Sequence, residues 1–434
     1  MKKLTAIIFL MILTGCSSSK EVNISGDLQA YASVDDWGSG IETVTLNLDH
    51  VLDKVTIDDF QVEEVKNATD WSQDDFPVVE VKSQRTIKEV YLCDKQGNKV
   101  EKPSKNIKIV MNVLNGEGGY INYDAHTQLN TYCDPYQLNI TINKDSKLTS
   151  NENRIKEFII DGSIEKLTTE ADQFKIDSFI ASDKTNYQYA TYEPETKSDT
   201  LVVWLHGVGE GGVDNTDPYV TLLANEAANL GGEYFQNAIG GANILVPQAP
   251  TFWMDQDGSG KLPTSWSDGD QQSSFYLESL YELIIDYKDK TGSNKVVIAG
   301  ASNGGYMTML MAQIFGEKFQ AYLPICEAYS DRLISDDQIN QLKNLPMFFI
   351  YSKDDPTVTP SLHSEATVNR LIASGANIEV YAPDHIYDTT NRFKDEEGNP
   401  TTYNGHFAWI EFFNNTAKTS DGTPVWDWIK NQIQ

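Results

Sequence analysis

The sequence predicts two domains: an all-β sandwich, followed by a doubly wound, mostly parallel α/β sheet. Three observations carry this. A chain of 434 residues exceeds what one ordinary core accommodates. Residues 22–143 alternate apolar and polar side chains in short runs separated by Asp, Asn and Gly, the period of half-buried strands. Beyond residue 173 continuous apolar runs alternate with helix-period segments, the pattern of strands that need crossover helices.

Composition narrows the class. The hydrophobic fraction of 40%, with 11% aromatics, is that of a globular chain. A formal net charge of −29 repels nucleic acid and anionic membrane faces, so neither is expected as a partner.

The first segment reads as targeting. Lys2-Lys3 precede an apolar run over residues 4–13, too short for the roughly 20 residues that span a bilayer. The run ends in Leu13-Thr-Gly-Cys16, which resembles a bacterial lipobox and implies lipidation of Cys16. On this reading residues 1–15 are a lipoprotein signal peptide and 16–21 a tether, and the chain is extracytoplasmic, meeting a bacterial membrane only through its lipid.

In the first domain the strand-like runs are 43–48, 78–81, 86–92, 106–113 and 137–142, and the polar stretch 144–173 connects onward with another strand at 155–160. In an oxidising compartment Cys93 and Cys133 could pair within this domain. Cys326, alone after an apolar strand, reads as core. The second domain, 173–434, opens with a hairpin (175–181 and 187–192) and a continuous strand at 201–205. A helix at 220–230, a strand at 244–246, a long loop, a helix beginning near 275 and a strand at 296–299 follow. Strands at 321–324, 347–351 and 378–381 complete the sheet, with a helix at 361–373 between the last two.

The chemistry centres on Gly300-Ala-Ser302-Asn-Gly304, a G-x-S-x-G pattern between an apolar strand and a helical run. That context makes it a nucleophile elbow: the sharp turn leaves no room for side chains at the flanking glycines and exposes Ser302. A serine hydroxyl needs a base, and the base needs a carboxylate to orient it. Of the histidines after Ser302, His363 lies within a predicted helix and reads as a surface residue. His406 sits in a turn opening an aromatic segment and is preferred as base, with His385 its competitor. Asp355, on the turn after strand 347–351, is preferred as the acid over Asp354. Two backbone N–H donors must face a developing oxyanion. Asn303 supplies one, and the glycine-rich loop 206–212 the other, from Val208 or alternatively Gly207; His206 itself reads as structural. No Lys-Ser/Thr follows these glycines, so they do not form a phosphate loop. Asp255-Gln-Asp257-Gly258 does not fit a calcium loop, and no metal or organic cofactor is expected. Trp253 and Trp266, on the long loop beside this site, are candidates to line a substrate pocket, alongside a structural role in the core.

The chain resembles the α/β-hydrolases of the predicted peptidase/esterase type, in which a prolyl-oligopeptidase-like catalytic domain follows an immunoglobulin-like domain. The matching pieces are Leu205-His-Gly-Val-Gly-Glu210 with Asp214-Asn215, Val246-Pro-Gln-Ala-Pro250, Trp266, Gly300-Ala-Ser-Asn-Gly-Gly305, Leu323-Pro-Ile-Cys326, Asp355-Pro-Thr-Val358, Gly405-His-Phe-Ala-Trp409 and Val425-Trp-Asp-Trp428. The resemblance implies an immunoglobulin-like β domain over 22–172, a catalytic domain over 173–434 and a Ser302, Asp355, His406 triad. Where relatives continue with glycines after Cys326, this chain has Glu327-Ala-Tyr329, which implies a narrowed or charged pocket. The expected activity is serine hydrolysis of small-molecule or polymer-linked esters through an acyl-enzyme. A serine peptidase or amide hydrolase is the alternative enzyme, and a non-catalytic surface lipoprotein binding glycan or protein the alternative of another class. In either case the amino-terminal domain could contact a glycan.

Overall fold

The computed structural model describes residues 21–114, 116–213, 216–262, 272–395 and 397–434. The signal segment with Cys16, and Trp266, lie outside the described residues. Among those described, no helix is long and apolar enough to cross a membrane.

The first domain is built on a long antiparallel pair, Glu21–Asp35 and Gly38–Leu52, extended by Ser104–Met111 and Ile87–Cys93. A three-stranded sheet, Val78–Gln84, Phe60–Thr69 and Tyr136–Ile142, supplies the second layer. Period-two alternation turns Leu28, Val44, Leu46, Ile107 and Ile109 of one sheet and Phe60, Val62, Leu138 and Ile140 of the other into a shared core. The polar stretch 144–173 is part of this sandwich: Asn153–Ile160 and Lys166–Thr169 both pair in parallel with Glu21–Asp35. Cys93 and Cys133, which the sequence left free to pair, are both free and buried. Cys93 ends an outer strand of the larger sheet, whereas Cys133 follows a separate hairpin and its thiol faces the Gly119 carbonyl at 3.7 Å.

The second domain is an eight-stranded sheet: β1 (Lys175–Ile180), β2 (Asn186–Tyr192), β3 (Thr200–Leu205), β4 (Asn243–Gln248), β5 (Lys295–Ala301), β6 (Ala321–Ile325), β7 (Phe348–Ile350) and β8 (Glu379–Tyr381). Their order is β1-β2-β4-β3-β5-β6-β7-β8, antiparallel in the first three and parallel from β4 onward. Strand β3 alternates its side chains between two cores. Val202 and Trp204 face one layer, Leu201, Val203 and Leu205 the other, and every one is buried. The flanking helices include α1 (Leu277–Thr291), α2 (Asn303–Phe315), α3 (Ser364–Ala373) and α4 (Val425–Gln432). From β3 the chain leaves to one side for β4 and returns on the other for β5. That reversal opens a crevice beyond the carboxyl ends of β3 and β5, where such sheets bind ligands.

Two helices differ from expectation. The run 220–230 is a four-residue helix, Val220–Leu223, then a 3-10 segment from Glu226, because Asn225 adopts an extended backbone between them. Helix α3 starts only at Ser364, after a 3-10 turn opened by Pro360.

The two domains are docked. At the tip of the first hairpin, Asp36 accepts a hydrogen bond from Asn414 Nδ2 (3.0 Å), Asp35 pairs with Arg392 (2.7 Å) and the Trp37 ring meets Phe393 with centroids 4.3 Å apart. Val34 joins the catalytic core itself.

Candidate active site

Strand β5 is buried along nearly its whole length and runs straight into Ser302, whose φ of 56° and ψ of −114° lie outside the regions an L-residue favours. Neighbouring backbone enforces that conformation. The Ser302 N–H donates to the Ile325 carbonyl at the end of β6 (2.9 Å), and a Cβ on Gly304 would stand 1.9 Å from the Leu205 carbonyl oxygen of β3. Helix α2 can therefore start against β3 only through a glycine.

The other two sequence-predicted residues converge on Ser302. His406 Nε2 lies 2.9 Å from Ser302 Oγ, and His406 Nδ1 lies 2.8 Å from Asp355 Oδ2. The remaining oxygen of Asp355 accepts the N–H groups of Thr357 (2.8 Å) and Val358 (2.9 Å), so the carboxylate is held by its own turn. The buried carboxylate sets the tautomer: Nδ1 donates to Asp355, leaving Nε2 to accept the serine proton. The His406 N–H in turn donates to Asn404 Oδ1 at 2.9 Å.

His385 belongs to a separate pair. It is half exposed, and its Nδ1 lies 2.6 Å from Asp354 Oδ2. The other Asp354 oxygen accepts the Ser352 hydroxyl and abuts Gly405, where an added Cβ would come within 2.2 Å of it. Asp354 thus braces the turn on which His406 stands. His363, expected at the surface, is instead buried at the start of α3 with Nδ1 2.9 Å from the Thr359 carbonyl. The 3-10 turn over Pro360–Leu362 rotates it inward.

Beyond β3 the loop carrying Gly207 and Val208 lies beside the elbow. The N–H groups of Asn303 and Val208 have no partner among the described residues, and Glu210 Oε2 lies against Gly207, where an added Cβ would meet it at 3.2 Å. His206 is fully buried: its Nε2 accepts the Ala249 N–H (2.9 Å), and its Nδ1 lies 2.6 Å from the Gly207 carbonyl. Burial drives its pKa down to about 4, so it stays neutral.

The pocket expectations need two corrections. Trp253 is fully buried with its ring 5.1 Å from that of His206, so it offers no face to a substrate. It is drawn into the core because its backbone N–H donates to Asn303 Oδ1 at 2.6 Å, tying the long loop to the elbow. Glu327 neither lines nor charges a pocket. It is wholly buried behind the elbow, where a Cβ on Gly305 would meet its own Cβ at 2.9 Å, and its Oε2 accepts the Tyr329 N–H at 2.7 Å. Burial pushes its pKa well above the usual carboxylate range, so it is held protonated. Glu210, which the motif reading passed over, is the carboxylate that touches the site's loop. Its spacing of four residues from His206 in a run of glycines was the available signal.

With this geometry in place, residues 27–155 match the family described as the esterase Ig-like N-terminal domain. A solved structure described as a thermostable esterase superposes on 90% of this chain and 96% of its own, with a TM-score of 0.66 at 19% identity. The chain has the α/β-hydrolase fold behind an immunoglobulin-like domain. The chain is also 25% identical to a protein of Arabidopsis thaliana named "Probable carboxylesterase SOBER1-like", over 38% of its length. It spans 63% of the length of that relative.

The protonated Glu327 carries a pH prediction. The folded α/β-hydrolase keeps a proton that the unfolded chain releases above about pH 4.3. Stability therefore falls as pH rises above that value, until the folded group itself ionises. Glu327→Gln removes this dependence, so its melting temperature should gain on wild type as pH is raised above about 4.3. A gap that stays constant with pH contradicts the assignment.

Proposed function

We propose that the protein is a serine hydrolase acting on carboxylic esters through an acyl-enzyme. The observation that carries this reading is the chain Asp355–His406–Ser302, with contacts of 2.8 and 2.9 Å at the carboxyl edge of the sheet. Ser302 attacks the carbonyl, His406 takes the proton and returns it to the leaving alcohol, and Asp355 holds the imidazole. Water then repeats the cycle on the acyl-enzyme. The N–H groups of Asn303 and Val208 receive the oxyanion; Gly207, against which the Glu210 carboxyl packs, is the weaker candidate. The catalytic domain is taken as 173–434 and the immunoglobulin-like domain as 22–172. Ester rather than amide chemistry is favoured by the descriptions of the relatives, which are esterases.

The same proposal places the protein outside the cytoplasm, anchored through lipid on Cys16, with polymer-linked esters among its substrates. An exposed aromatic pair on the amino-terminal domain favours glycan contact. Trp71 is 58% exposed, stacks on Tyr123 (6.3 Å, 11° between planes) and neighbours Phe76, a side chain held outward at a positive φ.

A fluorophosphonate should label the wild-type chain and fail on Ser302→Ala. His406→Ala should lower ester turnover by about a thousandfold or more, while His385→Ala stays near wild type. Labelling that survives Ser302→Ala, or aminoacyl arylamides turned over faster than esters, overturns the reading. Cys16→Ala should move the protein from the membrane fraction to the soluble one; continued membrane retention refutes the anchor. For the glycan contact, Trp71→Ala should lower retention on an insoluble neutral polysaccharide while leaving hydrolysis of a small aryl ester unchanged. Equal retention of the two proteins refutes it.

A further inference from the structure

The hairpin Ile121–Asp124 and Leu129–Tyr132 leaves the first domain and lies on the loop after β3. Asn130 Nδ2 donates to Glu210 Oε1 at 2.7 Å. The same carboxyl packs on Gly207, where an added Cβ would meet Glu210 Oε2 at 3.2 Å, and Glu210 Oε2 stands 3.9 Å from His206 Nδ1. The fit is close. An added Cβ on Gly209 would meet Asn130 Nδ2 at 2.5 Å and the Tyr123 ring at 3.5 Å, so only a glycine lets the hairpin approach. Val208, between Gly207 and Gly209, is thereby fixed on both sides.

We infer that Asn130 is a positioning residue for ester hydrolysis: by holding the Glu210 carboxyl against Gly207, it sets the orientation of the Val208 N–H that receives the oxyanion. This rests on the acyl-transfer reading of Ser302. The amino-terminal domain then contributes a side chain to the organisation of the reaction centre without touching substrate. Glu210 is buried, and burial raises its pKa to about 7. The titratable groups facing it are Tyr123 and His206, the latter kept neutral by its own burial. Gln248 Nε2 also reaches the Glu210 main-chain carbonyl at 3.0 Å.

The test uses the full chain and p-nitrophenyl acetate. A mispositioned donor acts on the transition state, so Asn130→Ala should lower kcat about tenfold or more with KM changed less than about threefold. Asn130→Asp supplies a second readout. One proton can bridge the two carboxyls at low pH and is lost at higher pH, when like charges repel. Its kcat relative to wild type should therefore fall as pH is raised from about 6 to about 8.5. Tyr132→Phe is the control. It removes another contact from the same hairpin to the catalytic domain, the hydroxyl to Asp217 Oδ2 at 3.0 Å, and should leave kcat unchanged. Asn130→Ala with kcat within twofold of wild type, or Asn130→Asp with a pH-independent ratio, overturns the inference. A wild-type chain that neither labels at Ser302 nor hydrolyses the ester instead overturns the reading beneath it.

Discussion

Everything at the site depends on one strained residue. Ser302 holds a backbone conformation that costs about 1–3 kcal/mol, and it persists because three strands over-determine it. Strand β5 delivers the serine, β6 takes its N–H, and β3 presses on Gly304 so closely that no Cβ fits. A serine so placed stands clear of its own helix, with Oγ free to meet His406 and the Asn303 N–H unpaired at the helix start. Relaxing any of the three contacts would let the turn revert to an ordinary helix start and carry Oγ away from its base.

Around that turn the protein separates its carboxyl groups by environment. Asp355 gives one oxygen to His406 and the other to two backbone N–H groups. Glu327, only a few residues beyond β6, is buried behind the elbow, where burial favours its protonated form. Glu210 falls between these two, buried yet met by Asn130 and packed on Gly207. Asp355 is the carboxylate that contacts the imidazole, placed to stabilise the positive charge a base acquires. The neighbouring Asp354–His385 pair adds support to the turn beneath His406 without entering this chain.

The succession of strands and the triad residues Ser302, Asp355 and His406 were legible in the sequence, because Ser302 and Asp355 each follow an apolar strand run and His406 sits in a turn opening an aromatic segment. The roles of side chains in the third dimension were less so. Trp253 reads equally as a pocket wall or a core residue, and only the hydrogen bond from its N–H to Asn303 decides for the core. Glu327 looks charged in a sequence, yet its state is set by packing between α2 and the loop after β6. His363 turns inward on a 3-10 turn whose extent depends on Pro360 and its neighbours rather than on helical period. Asn130 and Glu210 are 80 residues apart and in different domains, a pairing that no local pattern encodes.

The central claim is that strain at Ser302 aims its Oγ between His406 and two backbone donors. A crystal structure of the chain after reaction with an aryl phosphonate ester tests this directly. The account predicts phosphorus bonded to Ser302 Oγ, with one phosphonyl oxygen within about 3 Å of both the Asn303 and Val208 N–H groups. An adduct whose oxygen points to solvent, or a phosphorus carried by any other residue, would contradict it.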